Sequence, residues 1–169
     1  MTRVAFVTSL DRAGIPVACA IRPGGHVLQV SNGKGRHAEA AAVAEAAELW
    51  AAEQPEPERW TFIDGAAHVP ARRLDAEGEL WVPAASVWCP AQGSPSMGLV
   101  RGRWTSNGMG AHPSLEGALM HGLLEVIERH ALTLTLPQGW TQAAVRGRCV
   151  PAPLEREGFR LRAFDLTPR

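Results

Sequence analysis

Gly110–Ala131, GAHPSLEGALMHGLLEVIERHA, is the stretch on which the fold turns. Leu115, Ala118, Leu119, Gly122, Leu123, Val126 and Ile127 recur at steps of three and four, the spacing of one apolar helix stripe. Ser114 stands where an N-cap is needed, with Pro113 just before it. Glu125 and Glu128 are three apart, so their carboxylates leave the helix on neighbouring lines and can reach one point. Two ionised carboxylates held together repel unless a cation or a proton sits between them. Taken alone, the pair is more simply the solvated face of an amphipathic helix.

A second copy changes that balance. Ser31-Asn32-Gly33-Lys34-Gly35-Arg36-His37 opens a segment that runs into Glu45-Ala46-Ala47-Glu48. Ser106-Asn107-Gly108-Met109-Gly110-Ala111-His112 opens the segment that runs into Glu125-Val126-Ile127-Glu128. Ser-Asn-Gly-x-Gly-x-His recurs at an offset of 75 residues and Glu-x-x-Glu at 80, so the second copy carries five extra residues between loop and acidic pair. The pattern is an internal duplication: a glycine-rich turn, then a helix with two inward carboxylates, used twice. The expected fold class is α+β, with the duplicated loop–helix units packed on a largely antiparallel sheet. The helices Ala38–Glu53 and Ser114–Ala131 are expected to superpose together with their preceding loops.

Both glycine turns offer backbone N–H groups near a helix N-terminus, a natural anion site. Mg2+ prefers oxygen ligands, usually few carboxylates together with phosphate oxygens. The four carboxylates of the two Glu-x-x-Glu helices exceed what one Mg2+ neutralises, which calls for more than one ion or for a Mg-nucleotide. A Walker A loop is absent, because Lys34 is followed by Gly35.

Three separated motifs agree with one family. The Ser31–Gly35 loop before an acidic helix, the Ser106–Gly108 loop before Glu125-x-x-Glu128-Arg129, and the opening Leu10-Asp11-Arg12-Ala13-Gly14-Ile15-Pro16-Val17 followed by Ala20-Ile21-Arg22-Pro23 resemble YcaO-domain proteins. The resemblance runs from about Leu10 to Thr167 and implies that residues 1–169 form a single domain similar to the amino-terminal half of a YcaO domain. It implies ATP and Mg2+ as cofactors, with Glu45, Glu48, Glu125 and Glu128 on the metal and Lys34, Asn107 and Arg129 on the nucleotide. It further implies phosphorylation of a peptide-backbone amide oxygen, after which an attacking side chain or sulfide yields azolines, amidines or thioamides. Catalytic residues are not assigned. The implied partners are a peptide or protein substrate, a carboxy-terminal YcaO half, a TfuA-like or E1-like protein, and further copies of the chain. Three departures leave a non-catalytic module that binds a peptide or a larger YcaO partner as the alternative. Ala41 stands where the family usually has serine, His112-Pro113-Ser114 where it commonly has Gly-Asn-Thr, and the chain stops at Arg169, where the family adds more than half a domain.

Composition narrows the field without naming a function. A chain of 169 residues suits one domain with a sizeable core, and zero formal net charge gives no electrostatic footprint for nucleic acid or an anionic membrane. Of the 17 basic residues only Lys34 is a lysine, and it lies in the Gly-Lys-Gly loop. Cys19, Cys89 and Cys149 show no C-x-x-C spacing, so neither a disulfide framework nor a zinc site is indicated. No apolar run approaches a membrane span and no signal peptide is visible, so a reduced cytoplasm is expected.

Elsewhere, Val4–Thr8 suits a strand, and Pro16–Ile21 and His26–Val30 a hairpin. Gln54-Pro55-Glu56-Pro57 ends the first helix. Strands are expected at Arg59–Asp64, Glu79–Trp88, Met97–Trp104 and Phe159–Phe164, an exposed connection at Ala66–Gly78, and a short helix at Ala152–Gly158. Leu132–Leu136 reads as a connection, His37 and His112 as turn-capping residues, and His121 and His130 as helix-surface residues.

Overall fold

The computed structural model describes residues 3–10, 13–23, 28–89, 93–100 and 104–135, together with Leu154 and Gly158. The strand expected at Phe159–Phe164, most of the helix at Ala152–Gly158, and Asp11, Arg12, Trp140 and Cys149 lie outside the described residues.

Strands β1 (Arg3–Phe6), β2 (Val17–Pro23) and β3 (Leu28–Lys34) form an antiparallel sheet in the order β1-β2-β3. Alternation along β2 sends Ala18, Ala20 and Arg22 to the buried face. Helix α1 (Ala38–Ala52) covers that face, and Ala18, Ala20, Ala38, Ala42 and Ala46 form one cluster with Val4. A core of alanines lets helix and sheet approach closely.

Arg22, only 5% exposed, reaches the far end of α1, where its guanidinium forks onto Glu53 at 2.8 and 3.2 Å. Gln29 donates to the same carboxylate at 3.3 Å. A buried charge is tolerated here because it is paired in a bidentate geometry that a lysine cannot reproduce. Arg22→Lys is expected to cost about 1–2 kcal/mol through the lost second donor. The check is a lower urea midpoint at an unchanged m-value.

The second sheet contains β4 (Thr61–Ile63), β5 (Ala66–Arg72) and β6 (Glu79–Pro83), antiparallel in the order β4-β5-β6. Its core is Ala67, Val69, Ala84 and Met97, flanked by Trp60 and Trp88 with ring centroids 6.3 Å apart. The connection expected at Ala66–Gly78 is therefore half strand. Alanine and proline carry weak β signals, yet Ala67 and Val69 are buried. Pro70 is accommodated because pairing with β4 ends at His68, leaving β5 with a partner on one side only. Only the exposed loop after Arg72 behaves as expected, closed by Arg73 N–H donating to Gly78 O at 3.2 Å.

Two other strand expectations are corrected. The Glu79–Trp88 strand stops at Pro83, which caps the short helix α2 (Ala84–Val87). The Met97–Trp104 strand is reduced, among the described residues, to one bridge between Ala66 and Gly98. Gly98 has φ +73°, and a Cβ there would run into Gly65 O, so extended backbone cannot pass through it.

Cys89 N–H donates to Ala52 O at 2.8 Å and ties this unit to the end of α1. The last described helix, α3 (Leu115–Thr135), takes in the connection expected from Leu132, because nothing in Leu132–Thr135 breaks a helix. It lies against the loop Gly108–His112, and Gly122 is its one buried residue.

Candidate functional site

The duplication is visible in how each loop sits on its helix. A Cβ on Gly33 would collide with Ala38 O and Ala42 N on α1, and one on Gly110 with Ala118 O and Gly122 N on α3. Ala118 and Gly122 follow Ala38 and Ala42 by 80 positions, the same offset as the acidic pairs. Gly33 and Gly110 are 77 apart, so the repeated seven-residue string does not superpose letter for letter. Ser31–Lys34 belongs to β3, and the left-handed glycine is Gly35 at φ +81°. Ser106–Gly108 is instead a turn closed by Met109 N–H on Ser106 O at 3.2 Å, with Gly108 at φ +85°. What repeats is a glycine pressed onto a helix, with a glutamate one to two turns further on.

Those glutamates hold their loops. Glu45 Oε2 accepts Asn32 N–H at 2.7 Å, and Glu125 Oε2 accepts Gly108 N–H at 3.1 Å. Glu48 crosses between the units, accepting Ala111 N–H at 2.6 Å. Burial raises the Glu48 carboxyl above the ordinary carboxylate range, and the charges of Glu125 and Glu45 add to it. The Ala111 N–H and His121 pull the other way. Three of the four expected metal-binding carboxylates, Glu45, Glu48 and Glu125, therefore share one field. Glu128 stands exposed on α3 without an ion pair or hydrogen bond among the described residues. Of the expected nucleotide residues, Arg129 is engaged, donating to Glu125 Oε1 at 2.7 and 3.2 Å. Lys34 ends β3 with an exposed side chain, and Asn107 sits exposed in the second turn.

Histidines frame the crossing. His112 Nδ1 accepts the Ser114 N–H at 3.1 Å and lies 3.1 Å from its hydroxyl, while Ser114 Oγ accepts Gly117 N–H at 3.2 Å. His112 thus caps the turn, and its ring lies where a Cβ on Gly117 would go. His37 occupies the N-cap position of α1 with no side-chain cap bond. His121 is exposed on the surface of α3, as expected, and there stacks on His112 with centroids 5.9 Å apart and acts on Glu48. Its place four residues before Glu125 was the available signal. Beside it an open groove of about 1130 Å³ runs between Phe6, the outer face of α1 including Ala41, and Pro113.

A divalent cation fits this donor set. Burial, and then the charges of Glu125 and Glu45, raise the Glu48 carboxyl, while among the described residues His121 acts against that rise and Arg129 is ion-paired with Glu125. Among the described residues no three His, Cys, Asp or Glu side chains are placed to hold a metal ion by themselves. Mg2+ is usually bound through one or two carboxylates together with phosphate oxygens, and carboxylates in pairs suit that mode.

Because the ionised form of Glu48 is disfavoured in the folded chain, its penalty is present above the folded-state pKa. The penalty fades as pH falls through that value towards the unfolded one. Without metal, the chain is expected to gain thermal stability on mild acidification through that window, and Glu48→Gln is expected to flatten the gain. The effect is a few degrees at most, since Glu48 is only partly buried and water screens it. Thermal melts in chelator from pH 7.5 downwards check the slope.

Two sheets, a pair of glycine-on-helix units and a shared carboxylate field define the class: an α+β protein with a duplicated loop–helix unit. Comparisons with known proteins place it further. The model of the family described as YcaO cyclodehydratase, ATP- and Mg2+-binding, matches residues 64–168, and the chain belongs to the YcaO family. A protein of Methanothermobacter thermautotrophicus is 34% identical over 161 residues, covering 79% of this chain and 42% of that protein. A protein encoded in the tfuA 3′ region of Rhizobium leguminosarum bv. trifolii is 32% identical over 165 residues, covering 80% of this chain and 39% of its own. The structure of YcaO from Methanopyrus kandleri bound with AMPPCP and Mg2+ superposes with a TM-score of 0.62 at 26% identity, covering 80% of this chain and 39% of that one. The chain thus spans about two fifths of the length of these relatives. No helix among the described residues is long and apolar enough to cross a membrane.

Proposed function

We propose that this chain supplies the duplicated carboxylate portion of a YcaO ATP site, for activation of a peptide-backbone amide. One observation carries the reading: Glu48 of the first unit binds the loop of the second, inside a field shared with Glu45 and Glu125. Glu45, Glu48, Glu125 and Glu128 would hold Mg2+, whose chemistry is to bridge and neutralise phosphate oxygens. Lys34 and Asn107 are exposed at the mouths of the two loops, free to meet phosphate or nucleoside. Arg129 orients Glu125 and reaches the nucleotide from there. The transferred phosphoryl would go to an amide oxygen, making it a leaving group for an attacking nucleophile and leading to an azoline or thioamide. The chain's own residues contribute positioning and charge stabilisation. The relatives are more than twice as long, so turnover is proposed to need the rest of the domain, with a TfuA-like or E1-like protein as further partner. The tfuA-region relative supports the first of these.

Ala41 in the groove and Pro113 in the second loop favour a second reading, a module that binds nucleotide or peptide without turnover. The discriminating variant for the nucleotide role is Lys34→Ala. Lysine meets phosphate and not a metal, so ATP affinity should fall about tenfold while Mg2+ affinity stays unchanged. Titration calorimetry with each ligand separately measures this. Equal effects on both would place Lys34 outside the phosphate site, and phosphate release on adding peptide separates the two readings.

A further inference from the structure

We propose that His112, backed by His121, binds phosphate, its Nε2–H donating to an oxygen of the nucleotide that Mg2+ brings to Glu48. The inference rests on the Mg-nucleotide reading above and adds to it a donor other than Lys34, Asn107 and Arg129. His112 Nδ1 is occupied, accepting the Ser114 N–H at 3.1 Å. In a neutral imidazole the nitrogen that accepts carries no hydrogen, so the hydrogen sits on Nε2 and that atom is a donor. Among the described residues Nε2 meets no acceptor, and the ring lines the open groove of about 1130 Å³ beside α1.

The neighbours of His112 place this donor. Ala111, one residue before it, gives its N–H to Glu48 at 2.6 Å. His121 stacks on the His112 ring, acts on the same carboxylate and lines the same groove. An anion drawn to a cation at Glu48 therefore meets the histidine pair. An anionic phosphate oxygen is also a stronger acceptor for such a donor than a neutral carbonyl. Pro113 has no N–H, so the loop offers an anion one backbone donor fewer at this point, and His112 Nε2–H supplies one.

Turn capping alone does not account for this histidine. Asparagine and aspartate bond their own backbone two residues on, the same 112-to-114 step, with a smaller side chain. The imidazole needs room that they do not. Its ring stands where a Cβ on Gly117 would go, so α3 admits it only because residue 117 has no side chain. A glycine inside a helix is unfavourable relative to alanine, and the fold tolerates it beside this ring.

The test separates the two ring nitrogens. Asparagine at 112 puts an acceptor near the place of Nδ1, and glutamine puts its amide near the place of Nε2. His112→Asn thus keeps the bond to Ser114 N–H and loses the groove donor, while His112→Gln does the reverse. Titration calorimetry with Mg2+ alone, and with AMPPCP in Mg2+, is run beside thermal melts. His112→Asn is expected to bind AMPPCP about tenfold more weakly, with Mg2+ affinity and melting temperature unchanged. His112→Gln is expected to keep AMPPCP affinity within about threefold and to melt a few degrees lower. Gly117→Ala, which displaces the ring, should weaken AMPPCP about tenfold while circular dichroism shows α3 retained. Unchanged AMPPCP affinity in His112→Asn would overturn the proposal and leave the nucleotide site standing. Loss of binding in His112→Gln that tracks its loss of stability would also sink it and return His112 to capping alone. An unmodified chain that binds no AMPPCP would remove both this inference and the reading on which it rests.

Discussion

Replacing Glu45 or Glu125 by glutamine is expected to weaken Mg2+-dependent nucleotide binding by at least about tenfold, and the two changes together are expected to remove it. Even residues one shell away from a metal cost about 10–100-fold when changed, so residues proposed to touch it should cost no less. Glutamine is the informative substitution because it keeps an acceptor oxygen. Asn32 N–H can still bond position 45, and Gly108 N–H position 125. The loops therefore stay in place while the charge goes, and the urea midpoint should move little. Glu128→Gln is expected to weaken binding without any stability change, since Glu128 makes no ion pair or hydrogen bond among the described residues. Calorimetric titration of each variant with Mg2+ and AMPPCP checks the series. Binding that survives both changes would return Glu45 and Glu125 to a purely structural role as loop anchors.

Gly33→Val is expected to abolish cooperative folding of the first unit. A Cβ at that position meets the backbone of Ala38 and Ala42, and backbone cannot step aside as a flexible side chain can. Ala38 and Ala42 are themselves 3% and 0% exposed against β2, so pushing α1 away opens the alanine core. The expected cost is above about 4 kcal/mol, a large share of the stability of an ordinary domain. Gly110→Val presses on Ala118 and Gly122 in the same manner and should loosen the loop that delivers Ala111 N–H to Glu48. Gly35 is the control: it has φ +81° but open space around its Cβ, so Gly35→Ala meets only backbone strain, about 1–2 kcal/mol. Far-ultraviolet circular dichroism melts should show Gly33→Val unfolded at room temperature and Gly35→Ala folded.

Much of this was legible in the sequence because periodicity and spacing are backbone properties. The two long helices and the β2–β3 hairpin follow from helix-forming composition, apolar steps and turn residues, and the repeat pointed to the neighbourhood of Glu45, Glu48 and Glu125. β5 is hidden in the sequence because Ala66, Ala67 and Pro70 look like loop composition, and the burial of Ala67 and Val69 comes from Ala84 of α2 and Met97, further along the chain. Gly98 was read into a strand because a one-letter sequence does not show a left-handed φ. The repeat itself was found through the wrong letters. Ser-Asn-Gly aligns at 75, but packing aligns Gly33 with Gly110 at 77, since what the fold conserves is the glycine that touches the helix. His121 lies on the exposed surface of α3 as its helix position implies, but its stack on His112 is not legible in sequence because His112 arrives through the tertiary turn.

The most direct test of the central claim, that the duplicated carboxylates form one Mg-nucleotide site, is calorimetric titration of the unmodified chain with AMPPCP, with Mg2+ present and then with Mg2+ chelated. Saturable binding with Mg2+, lost on chelation, is expected, because the carboxylates of Glu45, Glu48 and Glu125 repel a bare triphosphate. Nucleotide binding of equal strength without Mg2+, or none with it, would contradict the account.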